Sequence, residues 1–295
     1  IGFKMINKAI IMAGGNGTRL RPSTIAVNKH LIPIYDKPLI YYPLSLLMLI
    51  GIKNFLIIVN KKEKKDFQKL LSNGENLGIK INYCEQEKPT GIPEAFKLGA
   101  NFINNDNVAL MLGDNIFYGQ GLVEIIAKAK TNLKGARIFS YPVRNPKDFG
   151  VVELKKNKII KLVEKPKKTK SNLAITGLYF FDKNVVEISK KLKPSKRNET
   201  EIIDVLKYYQ KQKKLNLTQL GRGSAWLDTG TVNNNLSCSN FVQVVEERQN
   251  YKIACIEEIA FNKKWISKKK LNQIINKIGK CEYSTYLKKI IDNSI

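Results

Sequence analysis

The segment IIMAGGNGTRLRPSTIAVNKHLIPIYDKP, residues 10–38, contains the feature that most constrains the fold. An apolar run predicts a first strand, and this run ends at Gly14, Gly15, Asn16 and Gly17. Because glycine has no side chain, Gly15 and Gly17 allow the backbone to approach a polyphosphate, and successive N–H groups can form an anion-binding nest. The segment therefore predicts a phosphate-binding loop after the first strand.

Two common phosphate-binding motifs do not match this loop. The dinucleotide fingerprint requires a third glycine where this chain has Leu20, and the Gly-Lys-Ser/Thr sequence of the Walker A loop is absent. A glycine-rich turn is also common in α/β proteins that bind no phosphate. Arg19 and Lys29 supply positive charge at short range, which favours phosphate binding.

The loop and the block that follows it, IYDKPLIYYPLSLLMLIGI at residues 34–52, resemble the sugar-1-phosphate nucleotidyltransferases. Within that family they are most similar to the enzymes that use dTTP and glucose 1-phosphate. Further family blocks occur in the family's order: LGDN at 112–115, FGVVE at 149–153, VEKP at 163–166, TGLYFFD at 176–182 and GRGSAWLDTGT at 221–231. The resemblance covers nearly the whole chain.

The hydrophobic pattern predicts strands alternating with helices. Strands are expected at residues 8–12, 55–59, 79–83, 108–112 and 137–141, and helices at 39–50, 64–71, 93–102 and 122–130. This order implies an α/β fold, a Rossmann-like, mostly parallel mixed sheet flanked by helices. Ligands of such sheets bind beyond the carboxyl ends of the strands, where the glycine loop and the turn at 113–115 are expected to lie.

The pattern changes after Gly150. Strands at 151–154 and 158–163 flank a predicted hairpin at Lys156-Asn157, and helices are predicted at 233–248, 267–277 and 284–291. We expect a nucleotidyltransferase core over residues 1–240, with a nucleotide-binding half at about 1–145 and a β-rich sugar-binding half at about 146–240. Residues 241–295 are expected to form a helical C-terminal extension with an oligomeric or regulatory role.

Composition narrows the possible functions. The net charge of +26 from 51 basic and 25 acidic residues raises the possibility of nucleic-acid binding, but the excess consists mainly of lysines scattered along the chain, so we expect no specific nucleic acid as partner. Four cysteines without a CxxC pair, and a single histidine, do not provide a zinc site. No apolar run reaches the length of a membrane span, and we expect a cytoplasmic protein without a membrane partner.

Transfer of a nucleotide to a sugar phosphate is opposed chiefly by the negative charge of the phosphates, so cations and Mg²⁺ matter more than a general base. The resemblance implies that Arg19 clamps the triphosphate, that Lys29 contacts the region of the α-phosphate, and that Asp114 and Asp228 hold Mg²⁺. Taken alone, the two aspartates would indicate only ordinary turns. The family context is what pairs them.

The resemblance also implies the substrate contacts. The set expected to bind the nucleotide is Gly14, Gly15, Gly17, Thr18, His30, Gln86, Pro89 and Gly91, with Gln86 reading the base. The set expected to bind the sugar phosphate is Asn115, Gly150, Glu164, Lys165 and Ile175, with Lys165 also counted as catalytic. A carboxylate can accept from sugar hydroxyls while an ammonium faces the phosphate. An exposed glutamine and a solvated ion pair are the alternatives for Gln86 and for the Glu164–Lys165 pair.

Two positions depart from the family pattern. His30 replaces a glutamine and is expected to add a charge that titrates near neutral pH, and Phe149 replaces a tyrosine and so lacks one hydroxyl. The resemblance further implies a homotetramer and a regulatory site at Tyr118, Gly119 and Glu258. Because Val123 and Asn262 replace more polar or basic residues there, feedback inhibition is expected to be weak.

The implied reaction converts dTTP and glucose 1-phosphate to dTDP-glucose and pyrophosphate, the first step toward dTDP-rhamnose and related surface sugars. Two alternatives remain open at this point. The chain could use another base or sugar phosphate, for example UTP, or it could be a non-catalytic basic nucleic-acid-binding or regulatory protein.

Overall fold

A computed structural model describes residues 5–131, 133–195 and 198–292. The strands are β1 (Lys8–Ala13), β2 (Pro33–Ile34), β3 (Lys37–Pro38), β4 (Asn54–Asn60), β5 (Lys80–Gln86), β6 (Val108–Leu112), β7 (Asn115–Gly119), β8 (Ala136–Pro142), β9 (Gly150–Lys155), β10 (Lys158–Glu164), β11 (Leu173–Phe181), β12 (Leu215–Gln219) and β13 (Ser224–Asp228). The helices are α1 (Tyr41–Leu49), α2 (Lys64–Leu71), α3 (Glu94–Leu98), α4 (Ala100–Ile103), α5 (Leu122–Lys130), α6 (Val185–Lys190), α7 (Ile202–Lys211), α8 (Val232–Gln249), α9 (Ile256–Asn262), α10 (Lys268–Ile278) and α11 (Glu282–Ile291).

Nine of these strands form one sheet. The parallel strands β5, β4, β1 and β6 lie side by side in that order, and β11 follows β6 in antiparallel orientation. On the other side of β11, β8 is antiparallel to it and pairs in parallel with β12. The β9–β10 hairpin joins through a single pair between Val151 and Ala174. Only β10 and β11 therefore run against the other strands, which confirms the mostly parallel mixed sheet.

The central strands are apolar along their length because both faces of the sheet are covered by helices. One core cluster packs Phe55, Phe67 and Phe180 with the helices of the C-terminal part, and a second packs Phe96 and Phe181 with α6 and α7. The predicted helices at 64–71 and 122–130 match α2 and α5. Among the described helices, none has the length and the apolar composition needed to cross a bilayer.

Some elements differ from the sequence expectation. The helix expected at 93–102 is two short helices, α3 and α4, because the chain turns at Gly99, whose neighbourhood contains the side chains of Ile10 and Leu56. The pattern also gave no sign of α9 or of the β7–β13 pair. The strand expected at 79–83 is β5, which continues to Gln86. Helix α8 runs without interruption through position 240, the predicted boundary between the core and the C-terminal extension.

Candidate active site

The glycine-rich loop leaves β1 at the carboxyl edge of the sheet. Gly17 has a φ of +57°, and a Cβ at this position would lie 2.9 Å from Thr24 Cγ2, so a side chain would be both strained and obstructed. The Thr24 hydroxyl donates to the Gly17 carbonyl at 2.7 Å and thereby closes the loop. Thr18 and Arg19 follow in a single 3₁₀ turn. The loop thus follows β1 directly, as predicted, and is closed by a side-chain hydrogen bond.

Lys29 and His30 lie in a second 3₁₀ turn, which Asn28 caps. Asn28 Nδ2 donates to the Ala13 carbonyl at 3.2 Å and to Glu63 Oε2 at 2.7 Å, so its Oδ1 must be the acceptor on the opposite side. This oxygen lies 2.8 Å from both the backbone nitrogen and Nδ1 of His30. The imidazole Nδ1 therefore carries the hydrogen in this contact.

His30 does not titrate near neutral pH, so that expectation was wrong. The side chain is only 1% exposed. Burial first and the neighbouring Lys29 second lower the pKa of His30 from 6.5 to about 3. The imidazole is neutral at physiological pH, as the glutamine amide that it replaces would be.

A cavity of about 210 Å³ opens beside this turn at the ends of β1, β5 and β6. Of the predicted residues, it is lined by Gly14, Gly15, Lys29, His30, Gln86, Pro89, Gly91 and Asp114. Gln86 is buried at the end of β5 rather than exposed after it, and its Nε2 has no hydrogen-bond partner within the described residues. An unpaired buried amide donor is costly unless a ligand accepts from it.

Sequence reasoning missed the segment that covers one side of this cavity. Glu199 lines the cavity, and the backbone nitrogen of Thr200 donates to the Thr90 carbonyl at 2.8 Å. The Thr200 hydroxyl also lies 3.2 Å from that carbonyl. Residues from the expected sugar half therefore contact the nucleotide half. No motif marked them, because their role depends on the tertiary contact with residues 90–91.

The structure brings Asp114 and Asp228 together. Asp114 follows β6, and Asp228 ends β13, which pairs antiparallel with β7 so that Asp228 lies opposite Asn115. The backbone nitrogen and the hydroxyl of Thr229 both donate to the Asp114 carbonyl, at 3.1 and 3.0 Å. Two turns that are 114 positions apart in sequence thus meet at one point.

The two carboxylates have opposite electrostatic environments. Burial alone would raise the pKa of Asp114, but its ion pair with Lys29 and a hydrogen bond from Asn115 outweigh burial and hold this pKa well below the usual 3.8. Burial and the charge of Asp114 together raise the pKa of Asp228 to about 6. Arg19 partly offsets that rise. A Cβ at Gly230 would lie 2.6 Å from Arg19 Nη2 and 3.1 Å from Asp228 Oδ2, so the guanidinium and the carboxylate both lie close to this glycine.

The donor set at this point fits Mg²⁺. Magnesium takes one or two protein carboxylates and completes its octahedron with phosphate oxygens and water. Asp114 and Asp228 supply two carboxylates, and their mutual repulsion is the condition that a divalent cation relieves. Across the described residues, no group of three or more His, Cys, Asp or Glu residues is suited to a closed metal site.

Four of the five residues expected to bind the sugar lie along or directly after β9, β10 and β11, whereas the fifth, Asn115, begins β7 beside Asp114. Gly150 and Glu164 are paired across the β9–β10 hairpin, and Ile175 is buried on β11. Lys165 has a φ of +39°, which is strained for lysine, and its backbone nitrogen donates to the Phe149 carbonyl at 3.1 Å. Such strain is typical of functional positions, where the surrounding structure holds it in place.

Phe149 packs against Trp226, with ring centroids 5.0 Å apart. Trp226 was not among the predicted site residues, although it stands two positions before Asp228. Its indole nitrogen lies 2.6 Å from Asn115 Oδ1, so it is part of the polar structure around the carboxylates. Only its place in the GRGSAWLDTGT block could have drawn attention to it.

The residues expected to be regulatory lie elsewhere, in a separate cavity of about 440 Å³ between α1, α5 and α9. Tyr118, Gly119, Glu258, Val123 and Asn262 all line it. Tyr118 donates to Gln249 Oε1 at 2.6 Å, and Glu258 accepts from the Tyr286 hydroxyl at 2.7 Å. Both polar groups are therefore already engaged within the chain.

The sheet is mostly parallel, and its carboxyl edge carries a glycine loop, an ion-paired lysine and two neighbouring carboxylates. This arrangement is typical of nucleotide-binding α/β proteins. The sequence model of the nucleotidyl transferase family matches residues 8–244. The chain belongs to this family, in a branch whose members are named glucose-1-phosphate thymidylyltransferase.

The relatives in that branch match over their full length. A Neisseria meningitidis protein of that name is 47% identical over 96% of this chain and 99% of its own, and one from Mycobacterium tuberculosis is 43% identical over 97% and 100%. Among solved structures, a Bacillus anthracis protein described as a candidate glucose-1-phosphate thymidylyltransferase, in complex with sucrose, has a TM-score of 0.74 at 35% identity. That match covers 79% of this chain and 94% of the other. A UDP-glucose pyrophosphorylase bound to UDP-glucose has a TM-score of 0.71 at 25% identity, over 82% and 100%.

Proposed function

We propose that this protein transfers a thymidylyl group from dTTP to α-D-glucose 1-phosphate, giving dTDP-glucose and pyrophosphate. The observation that carries the proposal is the cavity in which Gln86, Lys29 and Asp114 meet the glycine loop. The unpartnered Gln86 amide within this cavity and the Lys29 ammonium beside the glycine loop support binding of a base and its phosphates there. Relatives named for this reaction, at up to 47% identity over nearly the full chain, support it. The product would enter dTDP-rhamnose-type sugar synthesis.

In this reaction a phosphate oxygen of glucose 1-phosphate attacks the α-phosphorus of dTTP while the bond to the β-phosphate oxygen breaks. The residues act by charge and alignment rather than by proton transfer. Arg19 binds the departing pyrophosphate, and Lys29 faces the α-phosphate. Lys165 binds the sugar phosphate, and Glu164 accepts from the sugar hydroxyls. Mg²⁺ held by Asp114 and Asp228 would supply further charge neutralisation at the phosphates.

These roles follow the division expected from the sequence. Residues of the nucleotide half, at about 1–145, form the glycine loop and most of the base recess, to which Glu199 of the sugar half also contributes. Residues of the sugar half, at about 146–240, supply Glu164, Lys165 and Asp228. We place residues 241–295 outside the chemistry, as the oligomeric and regulatory part.

Gln86 is the proposed base reader. Its amide offers one donor and one acceptor, which match O4 and N3–H of thymine, but uracil presents the same edge. Contact with the thymine methyl is worth only about 1 kcal/mol, so discrimination against UTP is expected to be modest, roughly tenfold. Purine triphosphates are expected to be too large for the recess.

The test is pyrophosphate release with glucose 1-phosphate across the common ribo- and deoxyribonucleoside triphosphates. We expect the highest kcat/KM with dTTP, detectable use of UTP and no use of purine nucleotides. A tenfold preference for UTP would favour a uridylyltransferase. Absence of release with every nucleotide would favour the non-catalytic alternative.

A second proposal concerns the 440 Å³ cavity. We propose that it is a regulatory nucleotide-sugar site and that the protein is a homotetramer, in line with the family resemblance. Tyr118, Gly119 and Glu258 share the cavity, but Val123 and Asn262 stand where the resemblance implies more polar or basic residues, so feedback by a dTDP-sugar is expected to be weak. A monomer by light scattering, or tight inhibition noncompetitive with both substrates, would contradict this proposal.

A further inference from the structure

Asn115 lies at the centre of a buried hydrogen-bond chain next to the carboxylate pair. Asn115 is the first residue of β7 and is 3% exposed. Its Oδ1 lies 3.0 Å from the backbone nitrogen of Gly177 and 2.6 Å from the indole nitrogen of Trp226. Both partners can only donate. The amide oxygen must therefore face them, and the amide nitrogen must face the other way.

The other side of the amide faces Asp114. Asn115 Nδ2 lies 3.0 Å from Asp114 Oδ1, and Lys29 pairs with Asp114 Oδ2. Each carboxylate oxygen thus has its own donor. Gly177 and Trp226 determine the orientation of the Asn115 amide. They therefore also determine the position from which Asn115 Nδ2 donates to Asp114 Oδ1.

The surrounding structure keeps this chain rigid. A Cβ at position 177 would lie 2.5 Å from Asn115 Oδ1, so only glycine allows the backbone to approach the amide. The β8–β11 ladder is irregular between Ile175 and Tyr179, next to this contact. Trp226 is held between Phe149 and Tyr141, with ring centroids at 5.0 and 6.1 Å.

We propose that Trp226 and Asn115 are positioning residues that orient the Asp114 carboxylate through the sequence Trp226 Nε1–H to Asn115 Oδ1 and Asn115 Nδ2–H to Asp114 Oδ1. The proposal rests on the function proposed above, in which Asp114 acts at the phosphates. This role is additional to the sugar contact expected from the resemblance, to which Asn115 can contribute only the second hydrogen of its amide nitrogen, because both acceptor positions of its oxygen are already occupied.

Two substitutions interrupt the chain at different links. Trp226→Phe keeps an aromatic ring between Phe149 and Tyr141 but removes the indole donor. Asn115→Asp keeps an oxygen that accepts from Gly177 and Trp226. It replaces the amide nitrogen that donates to Asp114 with a negatively charged carboxylate oxygen. Tyr141→Phe is the matched control. It removes the hydroxyl that donates to the Ser224 carbonyl at 3.0 Å on the other side of Trp226, while the chain stays intact.

Steady-state kinetics with dTTP and glucose 1-phosphate provides the first readout. We expect kcat to fall about tenfold in Trp226→Phe and about a hundredfold in Asn115→Asp, with both KM values within about twofold of wild type. Tyr141→Phe should retain kcat within about twofold. The double variant should be no slower than Asn115→Asp alone within about twofold, because the two residues act through one path.

The second readout is independent of turnover. Mn²⁺ binding to the protein with dTTP, followed by electron paramagnetic resonance, should weaken about threefold or more in Trp226→Phe and be unchanged in Tyr141→Phe. A rise in KM for glucose 1-phosphate with kcat unchanged would overturn the proposal and make Trp226 a sugar contact. Additive losses in the double variant, or equal Mn²⁺ affinity, would also overturn it. If wild type releases no pyrophosphate, the proposed reaction fails, while the Mn²⁺ comparison still tests the positioning.

Discussion

Lys29 and Asp114 form a buried ion pair at the base of the nucleotide cavity, and each side chain is 13% exposed. This pair separates the roles of the two site carboxylates. The ionised form of Asp114 is stabilised in the free protein. The ionised form of Asp228, the second carboxylate, is destabilised by burial and by the charge of Asp114. The two carboxylates therefore have opposite effects on the stability of the free protein.

The first prediction concerns stability in the presence of a metal chelator. Asp228 has a pKa raised from 3.8 to about 6, so its ionised form destabilises the folded state, and this cost develops as pH rises from 3.8 through about 6. Asp228→Asn should raise the free energy of unfolding at pH 7.5 by about 1 kcal/mol, less than the full shift implies because the carboxylate is partly exposed. Asp114→Asn should lower it, because Lys29 loses its partner. Urea unfolding of both variants checks the opposite signs, and equal shifts in one direction would refute the asymmetry.

The second prediction concerns His30. The unfolded chain binds a proton on this residue below pH 6.5, whereas the folded protein does so only near pH 3, so acid between these values favours unfolding. Between pH 7.5 and pH 5 the wild type should lose about 2 kcal/mol more stability than His30→Gln. Urea unfolding at the two pH values measures this difference. The kcat of the two proteins should show the same pH dependence from 6 to 8, and an inflection near 6.5 that disappears in the variant would contradict a neutral His30.

The sequence predicts much of this fold because the central strands have simple apolar patterns. The strand at Val108–Leu112 and the helices at Lys64–Leu71 and Leu122–Lys130 were located to the residue. The hairpin around Lys156-Asn157 was also located, since two residues with positive φ between apolar runs are typical of a tight turn. Local pattern was sufficient wherever the structure depends on local interactions.

The site was less accessible to this reasoning because its key contacts are long-range. Asp114 and Asp228 are brought together by the β7–β13 pair, which no periodicity indicated. The burial of His30 likewise involves long-range packing, since a Cβ at Gly113 would lie 2.7 Å from the imidazole, and the neutral state follows from that burial rather than from residue type. The contact between the Trp226 indole and Asn115 is also visible only in three dimensions.

The third prediction separates the two proposed phosphate contacts. Arg19 lies beside Asp228, at the end of the site where pyrophosphate is expected to depart, and Lys165 lies on the sugar side at the end of β10. Arg19→Ala should lower kcat by roughly a hundredfold, whereas Lys165→Ala should chiefly raise KM for glucose 1-phosphate, by roughly tenfold or more. Lys167→Ala, an exposed lysine near Lys165, is the control and should behave as wild type. The reverse pattern would exchange the two roles.

The fourth prediction concerns Gln86, whose buried Nε2 has no hydrogen-bond partner among the residues that the structure describes. Gln86→Leu has a similar volume and removes this unpaired donor, so the free variant should be more stable by about 1 kcal/mol. The same change removes both hydrogen bonds to the base edge, and kcat/KM for dTTP should fall by roughly a hundredfold. Thermal unfolding without ligand and pyrophosphate release with dTTP measure the two effects. A gain in stability with unchanged kcat/KM would show that Gln86 does not read the base. A loss of stability would instead show that its amide has a structural partner, such as an ordered water, that leucine cannot replace.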